Sequence, residues 1–370
     1  MIRSSSKKTL ANQMLSRNKK ASKAVEEDNH IDPNDLVPMG STLLNLAMSG
    51  TIEGGAKKGT MINIIGASHG GKTILALTAF AEANMKESFD DYSFIYDDVE
   101  RANSFNMKYL FGESASKRIV SARPEKEEHF SSTVQHFQAN ITHRLKKDKP
   151  FLYVLDSYDA LDAMEDQKKM EEMVDAIEKD KKDNAGTYGM AKAKASSSIL
   201  RNITSGLAQS KSVLFIISQT RDNVDPRSFS KETRSGGRAL KFYAHHEMWL
   251  KPIGEIKKKE TAIGSRVEVN ITKNKILGTH RRVEFEIYYD YGIDDIGSCI
   301  DYLIKMGHWT GGGTAKINFN GDFDFDSCTR TKLITTIEEN GLYKTLQLIV
   351  KKVWDEFEEE LRLGRKNKYE

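Results

Sequence analysis

Between residues 66 and 73 the chain reads Gly-Ala-Ser-His-Gly-Gly-Lys-Thr. Two glycines five positions apart, followed by Lys and Thr, form a spacing with which a backbone can wrap a phosphate. In such a loop the amides of Gly66, Ala67, Ser68, His69, Gly70 and Gly71 converge on the anion and the glycines let the main chain approach it. Lys72 would neutralise β/γ oxygens and the Thr73 hydroxyl would ligate Mg²⁺, so the expected ligand is a nucleoside triphosphate. The plain alternative is a glycine-rich turn. A Mg²⁺-nucleotide site also needs an acid at a nearby strand end, and FLYVLD supplies Asp156, reaching the metal through water or through Thr73. A hydrolytic base must orient a water in line with the γ-phosphate. The segment YSFIYDDVER offers Asp97, Asp98 and Glu100; Glu100 is preferred with Asp98 in reserve, and either is open to reading as a surface carboxylate.

These groups need a scaffold. Ser41 and Thr42 precede apolar spacing at Leu43, Leu44, Leu46 and Ala47, a short capped helix. MINII from Met61 has the continuous apolar character of a buried parallel strand, and a helix is expected from Lys72 to about Glu87. Further strands are expected at YSFIYD from Tyr92, FLYVLD from Phe151, SVLFIIS from Ser212, HEMWLK from His246, RVEVNITKN from Arg266 and RVEFEIYY from Arg282. Helical patterns separate the earlier strands, which predicts an α/β sheet, mostly parallel at its centre and covered by helices on both faces.

Two stretches break the alternation. Residues Glu165 to Asn184 are nearly all Asp, Glu, Lys and Gln, with Met170, Met173, Val174 and Ile177 at helical spacing, and predict a solvated amphipathic helix. Thr220 to Gly237 carries Arg221, Arg227, Lys231 and Arg234 with too few apolar residues to pack, and predicts a mobile loop. After about Gly292 the character changes to a Gly311–Gly313 run and a strongly amphipathic helix with Leu346, Ile349, Val350, Val353, Trp354, Phe357 and Leu361 on one face. The expected organisation is a basic N-terminal arm (1–36), an ATPase core (37–292) and a small C-terminal lobe (293–370).

Composition narrows the classes. With 370 residues, 38% hydrophobic and 29% charged, the chain is of ordinary globular type, which excludes disorder and collagen-like repeats. Two cysteines, Cys299 and Cys328, cannot build a disulfide framework or a cysteine-rich zinc site, and suit a reducing cytosol. No apolar run approaches the roughly 18 to 20 residues that cross a bilayer, so no membrane association is expected. A net charge of +3 announces no nucleic-acid partner by itself, but before Glu26 stand Arg3, Lys7, Lys8, Arg17, Lys19, Lys20 and Lys23 without an acid. That arm suits phosphates or an acidic neighbour, has a loose likeness to a transit peptide, and is most simply a solvated tail or a helix docking on a partner subunit.

Several strings together resemble the RecA family of recombination ATPases, including its phage UvsX-like branch, from about Leu43 to about Trp309. LNLAMSGTIEGG is similar to the family's lead-in to the phosphate loop. LFIISQTR is similar to the strand whose terminal Gln, here Gln219, senses the γ-phosphate and relays it into the next loop. SGGRALKFYA (Ser235 to Ala244) closes that loop, and TKNKI (Thr272 to Ile276) with RVEFEIYYDYGI is the most specific string. The resemblance implies that Lys273 and Lys275 lie at a subunit boundary and reach the nucleotide of a neighbouring protomer. A Gln at a strand end is able to swing its amide towards a γ-phosphate, and the basic loop behind it suits a single-stranded backbone. Arg221, Arg227, Lys231, Arg234 and Arg238 are therefore the DNA-contact candidates, with Phe229 as the aromatic available for stacking. Gly186 to Lys194 is a guess for the first DNA-binding loop.

What the resemblance implies is a RecA-like P-loop ATPase core acting as an ATP-dependent DNA recombinase with Mg²⁺. It would form a homo-oligomeric helical filament on single-stranded DNA and promote pairing and strand exchange with homologous double-stranded DNA in recombination and repair. Single-strand-binding and mediator proteins would be further partners, and the bacterial host cytoplasm the compartment if the chain is phage-encoded. Departures from the family are His69 and Gly70 within the loop, the extra acid Asp97, and a basic ending, RLGRKNKYE, where the family is acidic. Two rivals share the phosphate loop: a ring-forming DNA motor, with Arg281 and Arg282 as candidate fingers, and a nucleotide-gated DNA-binding protein without productive hydrolysis.

Overall fold

The computed structural model describes residues 31–103, 106–126, 129–147, 149–164, 190–222, 232–234, 237–366 and 368–369. The arm cations, the charged insertion 165–184, residues 186–189, and Arg227, Phe229 and Lys231 lie outside the described residues. The chain divides into two compact units, 1–36 and 37–370. In the first, Asp32 accepts the Asn34 amide (2.9 Å) and starts a 3-10 turn over Pro33–Asp35.

In the second unit, helix α1 (Thr42–Ser49) begins at Ser41, whose hydroxyl accepts the Leu44 amide as the sequence predicts. Strand β1 (Met61–Gly66) leads into α2 (Lys72–Asn84), which stops short of Glu87; a 3-10 turn, Glu87–Phe89, takes the last expected residues. Then come β2 (Ser93–Asp98), α3 (Met107–Phe111), α4 (Glu113–Arg118), the unanticipated edge strand β3 (Ile119–Ser121), α5 (Val134–Leu145) and β4 (Phe151–Asp156). Helix α6 (Met190–Ser210) precedes β5 (Val213–Asp222), so the described end of the guessed first DNA loop is helical backbone. After β6 (Glu232–Arg234), α7 (Gly237–Tyr243), β7 (His246–Lys258), β8 (Thr261–Asn274), β9 (Arg281–Tyr288) and β10 (Gly292–Asp294), the chain ends in α8 (Asp295–Lys305), α9 (Arg330–Glu339) and α10 (Tyr343–Glu360). A small hairpin, Thr310–Gly312 with Ala315–Asn318, lies between α8 and α9.

Among the described residues one ten-stranded sheet runs in the order β10-β9-β8-β7-β1-β5-β4-β2-β3, with β6 paired to β5. Strands from β7 across to β3 are parallel to their neighbours, and β8, β9 and β10 add antiparallel pairs at one side. Successive strand residues face opposite ways, so the uninterrupted apolar runs feed two cores. Leu152, Val154, Val213, Phe215 and Ile217 join α1, α2 and α8 to α10 in one layer. Phe151, Tyr153, Leu155, Leu214 and Ile216 join α5 and α6 in the other. Each such fully buried side chain contributes about 1.5–3 kcal/mol of transfer free energy.

The segment expected to be a mobile loop is bounded by a ribbon, in which Thr220, Arg221 and Asp222 pair antiparallel with Arg234, Thr233 and Glu232. Its few apolar residues do not prevent this, because backbone hydrogen bonds and not side-chain packing hold the two stems. Strands β7 and β8 also run longer than their apolar patterns, extending into a hairpin whose outer part is exposed. In α10, Leu346, Val350, Val353 and Trp354 are buried, but Leu361 lies past the helix end and is exposed. The C-terminal residues share the apolar layer of α1 and α2. Among the described residues no helix is long and apolar enough to cross a membrane.

Helix α2 carries a titratable group on its far half. Burial, and then the nearby Asp295 carboxyl, push Glu82 up to about 7. The native state therefore keeps a proton that the unfolded chain releases, and stability falls as pH rises from about 4.5 to about 7. The Glu82→Gln variant is expected to melt with wild type near pH 4.5 and several degrees above it at pH 8, read by thermal denaturation across that range.

Candidate functional site

Strand β1 ends at Gly66, where an added Cβ would sit 2.6 Å from the Leu250 carbonyl oxygen. That contact with the neighbouring strand leaves room for glycine alone. The loop closes with the Gly70 amide donating to Ala67 O (3.2 Å) and with Gly71 at φ 81°, beside Ile287, before α2 begins at Lys72. His69 takes a left-handed φ of 60°. The amides of the first turn of α2 lack intrahelical acceptors by geometry and carry the positive end of the helix dipole. They form the floor of a cleft of about 510 Å³.

Lys72 donates to Ala67 O (2.6 Å). Burial pulls its ammonium below the ordinary lysine range, and the negative charges of Asp156, Glu100 and Asp159 oppose that. Thr73 Oγ1 donates to Asp156 Oδ2 (2.6 Å), and Tyr96 OH donates to the same oxygen (3.2 Å). Burial pushes the Asp156 carboxyl up, the Thr73 hydrogen bond pulls it down, and the Glu100 charge pushes it up again. A cation between these hard oxygen donors relieves this crowding of negative charge. A hydroxyl and a carboxylate at one helix N-terminus, with space for phosphate where glycines stand, fit Mg²⁺ and a nucleotide phosphate.

Period-two alternation separates Asp97 from Asp98 at the end of β2, and Glu100 follows in the turn beyond the strand. Asp97 faces the layer of α5, where Ser131 N (2.8 Å), Ser131 Oγ (2.6 Å) and Tyr153 OH (2.5 Å) all donate to it. It is fully buried and belongs to the packing. Asp98 turns to the cleft, and its carboxylate accepts the Ala102 (3.4 Å) and Asn103 (3.1 Å) amides of the following turn. Glu100 lines the cleft; its Oε1 accepts the Ser157 hydroxyl and Gln219 Nε2 (2.9 Å). Gln219 lies in register with Gly66, and Asp98 with Asp156, so the ends of β2 and β4 and an inner residue of β5 meet at the cleft beside the phosphate loop.

Lys273 and Lys275 are not brought to this cleft. Lys273 pairs with Glu247, which pairs with Asn63, three residues or about 10 Å along β1 from Gly66 and away from the loop. Its Nζ donates to Lys241 O and Phe242 O (2.9 Å), the last carbonyls of α7. Lys275 is exposed. Between them Asn274 is buried, donating to Ala47 O (3.3 Å) and Met48 O (3.0 Å) and so fixing this turn on the end of α1. Of the DNA-contact candidates, Arg221 and Arg234 stand on the paired stems of β5 and β6, and Arg238 is in α7.

Sequence reasoning passed over Ser157 and Asp159, which act on Glu100 and Gln219, and Tyr289, which is 62% exposed at the cleft. The polar run Ser-Tyr-Asp directly after FLYVLD was the available signal for the first two.

Comparison with known proteins agrees with this architecture. Residues 7–294 match the family model described as the RecA N-terminal domain. The chain is 30% identical to the RecA protein of Streptomyces ambofaciens over 280 residues, 76% of this chain and 68% of that one. It is 30% identical to the RecA protein of Chlorobaculum tepidum over 299 residues, 79% of this chain and 78% of that one. Against the RecA protein of Streptomyces coelicolor it is 30% identical over 276 residues, spanning 66% of that relative's length. A matched region covering the sheet, the phosphate loop and the Lys-Asn-Lys turn makes the chain a member of the RecA family.

Proposed function

We propose that this chain is an ATP-dependent DNA recombinase, a DNA-dependent ATPase that polymerises on single-stranded DNA and promotes homologous pairing and strand exchange in recombination and repair. The observation that carries the reading is the continuity of β5. Gln219 bonds Glu100 in the nucleotide cleft, and the next three residues form one stem of the ribbon that bears Arg221 and Arg234. A change at the γ-phosphate therefore has a covalent route of one residue into that ribbon.

Mg²⁺-ATP supplies the phosphoanhydride bond that is cleaved. Around it, the α2 amides and Lys72 bind the phosphate oxygens, and Thr73 with Asp156 orients the metal. The Glu100 carboxylate orients the attacking water and takes its proton, with Asp98 as the reserve for that role. Gln219 reports the γ-phosphate. Lys273 and Lys275, remote from their own loop, serve the nucleotide of the adjacent protomer, and the Lys241 and Phe242 carbonyls hold Lys273 until that neighbour arrives. Tyr289 is placed to cover a base. Arg221, Arg227, Phe229, Lys231, Arg234 and Arg238 contact DNA. The arm 1–36, core 37–292 and lobe 293–370 divide the labour, with single-strand-binding and mediator proteins as further partners in a host cytoplasm. The UvsX-like strings favour a phage recombinase within the family.

Electron microscopy with single-stranded DNA and a slowly hydrolysed ATP analogue tests the reading. Long nucleotide-dependent helical filaments are expected; closed rings would favour the ring-forming motor. The Lys275→Ala variant, altered at an exposed side chain, is expected to give short or no filaments and a raised KM for ATP, with an unchanged melting temperature. For the base, Glu100→Gln is expected to lower DNA-dependent kcat at least about 100-fold while ATP-dependent DNA binding persists. Asp98→Asn is expected to lose less than about tenfold; unchanged hydrolysis in both variants would remove the base assignment, and no DNA-dependent turnover in wild type would favour the nucleotide-gated binder.

A further inference from the structure

The last paired row of β4 and β5 is Leu155 with Ile216, so β4 no longer runs beside Gln219. The chain has left β4 and turned through a 3-10 segment, Tyr158–Ala160. Asp159, in the middle of that turn, fills the place: the Gln219 amide donates to Asp159 Oδ2 at 2.6 Å, a short charge-assisted bond. A side-chain carboxylate thus prolongs a parallel ladder that the main chain has abandoned.

Its position gives this bond two consequences. On the near side, the same Gln219 sends its side-chain amide to Glu100 (2.9 Å), whose Oε1 also accepts Ser157 Oγ from the chain just before Asp159. On the far side, Thr220 is the first residue of β5 to pair with β6. Asp159 therefore grips the one backbone unit at which the nucleotide cleft and the ribbon share an atom chain. It also acts through charge, being one of the three carboxylates that support the Lys72 ammonium.

We propose that Asp159 is a positioning residue that clamps the Gln219 backbone to the exit turn of β4, so that movement of the Gln219 side chain is passed to the β5–β6 ribbon and not lost in a slack strand end. Without the clamp the Gln219 amide lacks this acceptor, the strand end loosens, and binding of DNA at the ribbon no longer adjusts the Glu100–Gln219 pair. The inference rests on the recombinase reading above, because it concerns coupling between that cleft and DNA.

The test compares ATP hydrolysis with and without single-stranded DNA for wild type, Asp159→Ala and Asp159→Asn, with thermal melting alongside. Wild type is expected to be stimulated by DNA. Asp159→Ala is expected to lose at least about fivefold more of the DNA-stimulated rate than of the DNA-independent rate. Asp159→Asn, whose amide oxygen can take the place of Oδ2, is expected to keep at least half of the wild-type stimulation. Should the alanine variant not fold, Asp159→Ser makes the same comparison. Full stimulation in the alanine or serine variant, equal loss of both rates, or an asparagine variant as defective as alanine overturns the clamp and leaves the recombinase reading standing. No stimulation of wild type overturns that reading and the clamp with it.

Discussion

Everything at the site depends on a parallel sheet that is buried on both faces and whose central strands are held in fixed register. Gly66 is in register with Gln219, and Asp98 with Asp156, so four chemically distinct residues reach one edge without any of them being on a long loop. The constraint is backbone hydrogen bonding: once β1, β2, β4 and β5 are locked by their ladders, these in-register residues have little freedom in where they point. Apolar layers on both faces keep water from competing for those ladders.

The same burial sets the electrostatics. Lys72 and Asp156 are both pushed towards neutrality by desolvation; the carboxylate charges around Lys72 push back, whereas at Asp156 the hydrogen bonds from Thr73 and Tyr96 push back and the Glu100 charge adds to the effect of burial. A cleft in that condition favours a ligand bringing both a cation and an anion, because each relieves a different part of the crowding. Strand alternation adds the complementary effect. It hides Asp97 among Ser131 and Tyr153 on one face and leaves its neighbour Asp98 with the cleft, which Glu100 joins from the turn beyond the strand.

The proposed coupling to DNA runs through short links. Glu100, Gln219, Asp159 and the β5–β6 stems are joined by successive hydrogen bonds across a few residues. At the other end of the sheet, Asn274 ties the Lys-Asn-Lys turn to α1, which keeps the two flanking lysines at a fixed height far from their own phosphate loop. In the filament proposal a second copy brings its nucleotide to these lysines.

By itself the sequence determined the strands, because runs such as FLYVLD and SVLFII have no other way to be buried, and it determined the phosphate loop, because glycine spacing and Lys-Thr are local properties of the chain. It also contained, in the alternation of YSFIYDD, the means to set Asp97 apart from Asp98, although the carboxylates alone did not reveal which face was which. Other features were decided by tertiary structure. Whether Thr220 to Arg234 pairs with itself depends on backbone partners that composition does not record. Asp159 gains its role only because β4 ends before β5 does, and the height of Lys273 relative to Gly66 follows from the order of three neighbouring strands. Hydrogen-bond register across a sheet is a relation between segments distant in the chain, and no local pattern of residue types encodes it.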